Sequence, residues 1–290
     1  MATTWLQIDG EGFGAAYDRR EPATFSHTLQ DHPLLKVEAI ADLADRLASH
    51  SVVCDRAVKP LLVPGGGPPR GVVPRPGDLI RNLESSDSWL TLLNVEQDQA
   101  YRQLMDECLH EVEPLAQRFR GDVRRPAGFI FVSSPNSVTP AHFDIEHSIP
   151  MQIQGSRTLT IGSFGGRSDR EHEIARYWSG SHGRIESMHK ERASYETAPG
   201  FGAYIPPFVP HWITNGPASS VSMTLTFFTR DTDDDSQIRA FNQRLKRLGS
   251  APTPPGQSLW LDAAKVGVMR LYGLRRYLPG RGGERGVEAY

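Results

Sequence analysis

Between Phe129 and Phe228 apolar residues return at every second position, in short runs broken by Gly, Pro, Asn and Ser. Period two sends successive side chains to opposite faces of a strand, so each run buries one face and offers the other to a second layer. The runs 129–132, 139–144, 151–154, 157–161, 202–205, 206–214 and 220–228 therefore predict strands. Gly155-Ser156 supplies the two-residue turn of a tight hairpin. In 220–228, SVSMTLTFF, small or polar residues alternate with apolar ones. A chain so patterned is mainly β, and its helices must flank the sheets.

Those helices are written in a different period. Val37, Ile40, Leu43, Ala44 and Leu47 recur at three- and four-residue steps and predict a helix over 36–49. Tyr101, Leu104, Met105, Cys108, Leu109 and Val112 do the same over 97–119, with Cys108 read as a small core hydrophobe. The run 89–94 is a buried strand. After residue 229 an acidic cluster, Asp231 to Asp235, suits the start of a helix that runs to about 248, and a Pro-rich linker leads to another at 259–272. Residues 64–78 form a Pro/Gly loop whose prolines lack the N–H groups that a phosphate loop would need. Three regions follow: 1–84, an N-terminal arm and helical region packed on the core; 85–230, the β core, with a polar insertion at 163–197 carrying a short helix at 169–178; and 231–290, C-terminal helices with a basic tail.

At 290 residues with net charge −2, the chain can bury a large core and has no excess charge to draw it to nucleic acid or a membrane surface. The six basic residues from Lys265 to Arg285 read as a solvated helical end. Two cysteines without CxxC spacing make neither a disulfide framework nor a zinc site. The N-terminus lacks a basic and apolar leader, and no apolar run reaches eighteen residues. A reducing cytoplasm is the expected compartment.

The chemistry concentrates at Thr139-Pro140-Ala141-His142-Phe143-Asp144. On one strand, His142 and Asp144 project from the same face and can grip one metal ion. His211, framed by Pro206, Pro207 and Pro210 on a distant strand, is placed to supply a third ligand. Two histidines and one carboxylate leave coordination positions open, the arrangement of non-heme Fe(II) oxygenases, whereas a structural zinc would be closed by four protein ligands. His147 stands at opposite parity to His142 and is set aside; His182 and His189 read as surface residues of the insertion.

The motifs VTPAHFD at 138–144, QIQGSR at 152–157, PGFGAYIPP at 199–207 and PHW at 210–212, in this order, resemble the JmjC/cupin-like 2-oxoglutarate oxygenases, particularly the asparaginyl-hydroxylase type. The resemblance spans about 85–230. It implies a double-stranded β-helix (jelly-roll) core, with Fe(II), O₂ and 2-oxoglutarate as cofactor and co-substrates, and His142, Asp144 and His211 as the ligands. It also implies that Thr139 and Arg157 hold the distal carboxylate of 2-oxoglutarate. Arg157 departs from the lysine usual there; a guanidinium can still grip a carboxylate through two nitrogens. Ser148 and Thr226 stand where asparagines are found near the keto-acid end, and Phe201 where the related motif commonly reads Asp. Phe129 and Phe131 share a strand face and can wall the cavity.

The function implied is hydroxylation of an unactivated C–H bond in a peptide, a protein side chain or an amino-acid-like small molecule, with release of succinate and CO₂. Loss of an N-methyl group after hydroxylation is another outcome the resemblance allows. The insertion and the arm 1–35 are the expected substrate contacts. A metal-binding cupin that holds a ligand without turnover is the alternative. The apolar stripes Ile238, Phe241, Leu245, Leu248 and Leu259, Ala263, Val266, Met269 need a partner surface, either the core or a second copy of the chain in a homodimer.

Overall fold

The computed structural model describes residues 4–57, 61–62, 75–120, 123–181, 183–187 and 190–276. Most of the loop at 64–78, along with His182, His189 and the basic end beyond residue 276, falls outside them. Among the described residues twelve strands form two antiparallel sheets. The larger has eight strands in the order β1 (Leu6–Gln7), β2 (Ala23–His27), β10 (Phe201–Tyr204), β7 (His147–Gln154), β12 (Ser220–Phe228), β5 (Arg124–Ser133), β4 (Ser88–Leu93) and β3 (Val52–Arg56). The smaller runs β6 (Val138–His142), β11 (His211–Asn215), β8 (Arg157–Ser163), β9 (Lys190–Thr197). From β5 to β8, and again from β9 to β12, successive strands alternate between the sheets, as a double-stranded β-helix requires.

The period-two pattern sorts the faces of the large sheet. Leu90, Leu92, Ile130, Val132, Ile149, Met151, Met223 and Leu225 point outward into one continuous core. Helices α1 (Gly10–Arg19), α2 (Val37–Arg46), α3 (Pro76–Arg81) and α4 (Gln99–Arg120) close it with Tyr17, Ile40, Leu43, Ile80, Tyr101, Leu104 and Cys108. Cys108 is fully buried there, in its expected role, and burial pushes its thiol up to about 12. The opposite face turns inward toward the small sheet. In β12 the inward residues are Ser222, Thr224 and Thr226, small enough to leave space, while Val221, Met223, Leu225 and Phe227 fill the core.

Three elements differ from the sequence expectation. The first 56 residues add strands β1, β2 and β3 to the large sheet, where an arm and a helical region are predicted. Residues 190–197, placed in the insertion, form β9 and pair with β8 along its length. Strand β6 ends at His142, so Asp144 follows the strand rather than lying on it. The remaining excursion carries α5 (Arg167–Arg176), and α6 (Arg230–Arg247) and α7 (Leu259–Arg276) follow the last strand.

Candidate active site

His142 closes β6 and pairs directly with His211, the first residue of β11. The chain then bends out of the sheet and returns as β7, and Asp144 lies in that bend, held by a backbone bond from Phe208 N–H to its carbonyl at 2.7 Å. The result brings a ligand atom from each of His142, Asp144 and His211 within 4.8 Å of the others. Among the described residues this is the one such group of three or more potential ligands.

Hydrogen bonding selects the tautomers. Nδ1 of His142 donates to the Pro140 carbonyl at 2.8 Å, and Nδ1 of His211 to the Val209 carbonyl at 3.0 Å. Both Nε2 atoms are thereby left as lone-pair donors, and both face Asp144, at 3.9 Å from Oδ1 and 3.7 Å from Oδ2. A carbonyl holding the far nitrogen is the usual support of a metal-ligating histidine. Burial, then the neighbouring His211 and Arg184, pushes the His142 imidazole well below its ordinary range and keeps it neutral. Burial raises the Asp144 carboxyl, while His211, a hydrogen bond from Ser148 and Arg184 pull it back. Two imidazoles with Nε2 turned to one buried carboxylate, and no fourth ligand among the described residues, fit a divalent cation that keeps open positions.

The triad opens into a cavity between the two sheets. Phe129, Phe131, Leu93 and Trp89 line its large-sheet wall; Thr139, Leu159, Ile213 and Asn215 line the small-sheet wall. Arg157 starts β8 and enters from the small sheet, 7% exposed, with Nη1 donating to Ser222 Oγ of the opposite sheet at 2.8 Å. No carboxylate pairs with it among the described residues, and its Nε is buried without a partner. Burial alone lowers it to about 10, so it remains a cation at neutral pH. In the same cavity the Thr91 hydroxyl is also buried without a partner. Thr91, Phe131 and Ser222 share one cross-strand row, so both orphaned donors look into the same end.

The expected anchors separate on inspection. Thr139 and Arg157 line the cavity, as does Ser148, whose hydroxyl is engaged with Asp144. Thr226 lies opposite Ser148 in the register and approaches the Ala127 carbonyl at 3.5 Å, outside the cavity lining. His147 is a core residue, bonded to the Tyr204 hydroxyl at 2.9 Å. Phe201 packs with Tyr195, away from the triad. Sequence reasoning missed Thr91, Ser222, Asn215 and Arg184. The inward parity of SVSMTLTFF marks Ser222 in the sequence; nothing local marks Arg184.

No family model and no curated protein matches the chain. Solved structures do. The structure of Escherichia coli YcfD is 15% identical with a TM-score of 0.54, covering 94% of this chain and 70% of that one. The structure of Escherichia coli ribosomal oxygenase YcfD gives 15%, 0.51, 94% and 68%, and its complex with cobalt and 2-oxoglutarate gives the same four values. At such identity the likeness is one of fold: the chain shares a double-stranded β-helix architecture with these structures, with helices on the outer face of its large sheet.

Proposed function

We propose that the protein is an Fe(II)- and 2-oxoglutarate-dependent oxygenase that hydroxylates a side chain of a peptide or protein. One observation carries the reading: a three-ligand His-Asp-His cluster and a buried, acid-free arginine occupy one cavity. The fold shared with a ribosomal oxygenase supports a protein acceptor over a free small molecule.

His142, Asp144 and His211 would hold the metal, their tautomers already set by Pro140 and Val209. Bound Fe(II) supplies the oxidising chemistry: with O₂ and 2-oxoglutarate it couples decarboxylation to succinate and CO₂ with insertion of one oxygen atom into a C–H bond. Arg157, steadied by Ser222, binds the distal carboxylate of 2-oxoglutarate and orients the keto acid toward the triad. Thr139 from the small sheet and Thr91 from the large one offer further hydroxyl donors to the same cavity. Phe129, Phe131 and Trp89 exclude water, which strengthens the arginine–carboxylate attraction and keeps the oxidant from being spent without substrate.

The test is succinate formation. Anaerobically Fe(II)-loaded protein given 2-oxoglutarate and then O₂ should release it, and His142→Ala or Asp144→Ala should abolish the signal. Iron binding with no succinate across broad substrate pools would leave the alternative, a ligand-holding cupin. The acceptor is sought by a mass gain of about 16 Da, one inserted oxygen.

Among the described residues no helix is long and apolar enough to cross a membrane, and Cys54 and Cys108 are both free thiols, in keeping with a reducing cytoplasm. Leu259, Trp260, Val268 and Leu271 on α7 are exposed, as is Leu248 just past α6, which suits pairing with a second copy. Sedimentation should give a dimer that Trp260→Lys weakens.

A further inference from the structure

The segment between α5 and β9 is built into the cavity wall. Phe143 N–H donates to the Gly183 carbonyl at 3.1 Å, Ile185 N–H to the Ala141 carbonyl at 3.4 Å, and Arg184 pairs with His142 in an antiparallel bridge. Gly183 permits this approach at φ 79°, since a Cβ there would meet the Phe143 carbonyl oxygen at 2.2 Å. Behind it, the buried Glu173 carboxylate accepts from Glu186 N–H at 3.0 Å, Ser187 N–H at 3.3 Å and the Arg176 guanidinium. Arg176 also donates to the Arg184 carbonyl at 3.3 Å. A buried ion pair thus fixes the backbone that carries Arg184.

The Arg184 side chain, 9% exposed, lines the cavity with the triad. Nη1 donates to the Pro140 carbonyl at 2.9 Å. Asp55 and Asp144 are the acids whose charge reaches it, yet no described carboxylate lies within ion-pair distance; Asp144 faces the two histidines instead. A guanidinium has five N–H donors and no acceptor, so a cation held this deep calls for an anionic partner.

That partner is not the one Arg157 holds. Arg184 sits beside His142 in the row His142–His211, whereas Arg157 pairs with Asn215, four residues farther along β11. On the sheet surface the two arginines are about 13 Å apart along the strands and, with β6 and β11 between them, about 14 Å across. They occupy opposite corners, with the metal ligands at Arg184's corner. Two separate anion sites follow.

We propose that Arg184 is the substrate clamp of the cavity, a guanidinium beside the triad that selects an acceptor bearing a carboxylate. This rests on the oxygenase reading, which assigns Arg157 to the co-substrate. The carboxylate comes from an acidic side chain in a peptide or from a free amino acid, and the two sources are separable.

The test is ligand-observed NMR on full-length protein loaded under nitrogen with Mn(II) and 2-oxoglutarate. Three probes are used: doubly capped glutamate (side-chain carboxylate), free L-glutamine (main-chain carboxylate) and doubly capped glutamine (neither). One of the first two should bind at least about tenfold tighter than the third, the factor supplied by one charge-assisted hydrogen bond. Arg184→Gln should erase the preference and Arg184→Lys retain most of it, both with unchanged Mn(II) content and 2-oxoglutarate affinity. Equal binding of all three probes, or binding of none, overturns the proposal. Loss of 2-oxoglutarate affinity in Arg184→Gln would give Arg184 to the co-substrate, and loss of Mn(II) would make it a support of His142; each also overturns it. Failure of the wild type to bind Mn(II) and 2-oxoglutarate at all is the separate outcome that defeats the oxygenase reading.

Discussion

Arg157 on the small sheet donates to Ser222 on the large one at 2.8 Å, the polar bond that joins the two walls at the end of the cavity away from the triad. With no acid to neutralise it, the guanidinium awaits an anion. Arg157→Gln should weaken 2-oxoglutarate binding by about ten- to a hundredfold, the worth of one or two charge-assisted hydrogen bonds. Arg157→Lys should recover part of that loss and Ser222→Ala should cost less than either. Calorimetric titration of the Mn(II)-loaded protein under nitrogen measures all three.

Metal binding should stabilise the fold, because Asp144 is a buried carboxylate whose charge burial opposes. At a hundred times the dissociation constant, a divalent ion that binds the folded state alone adds about 2.7 kcal/mol. Thermal unfolding with and without Mn(II) should show the shift, and Asp144→Ala should abolish it. An equal shift in His211→Ala would place the ion elsewhere.

A buried histidine far from the triad gives a pH signature. His27 Nδ1 accepts from Leu29 N–H at 3.2 Å, so its Nε2 donates to the Phe201 carbonyl at 3.1 Å. Burial lowers it to about 4 from 6.5. A depressed histidine means that the unfolded chain binds the extra proton first. The contribution is therefore whole above about pH 6.5 and is lost as pH falls toward 4, on the order of 3 kcal/mol in all. Urea unfolding across pH 4–7 should show that slope, and His27→Gln, which can accept and donate at the same places, should flatten it.

Glu173 is 1% exposed and ties α5 to residues 186 and 187. Replacing it with Ala leaves two backbone N–H groups without their acceptor and the Arg176 guanidinium with Glu186 alone, at a cost of about 2–4 kcal/mol. Chemical denaturation should register this, whereas Glu21→Ala, at the exposed pair with Arg19, should cost under about 1 kcal/mol.

Much of this could be read before any folding. Alternation in 220–228 declared one packed and one small-residue face, and the structure puts Met223 and Leu225 in the core, Thr224 in the cavity lining and Ser222 under Arg157. Residues 52–56, VVCDR, and 6–7 were not readable as strands. They are short edge segments whose extended shape comes from the ladders of β4 and β2, not from local preference.

By itself the sequence determined which residues can ligate a metal and which runs alternate, since periodicity and side-chain chemistry are local properties; the double-stranded β-helix was implied by the resemblance of its motifs. Tertiary structure alone decided the rest. Asp144 left its strand yet stayed with His142, because the bend into β7 and the Phe208 bond hold it there. Arg157 became a buried cation rather than a surface one because the facing sheet covers it. Thr226, of the same parity as Thr224, lies beyond the cavity because register along β12 sets depth. Arg184 reached the metal site only by docking a distant segment onto β6, and contacts across some forty residues leave no mark in local pattern.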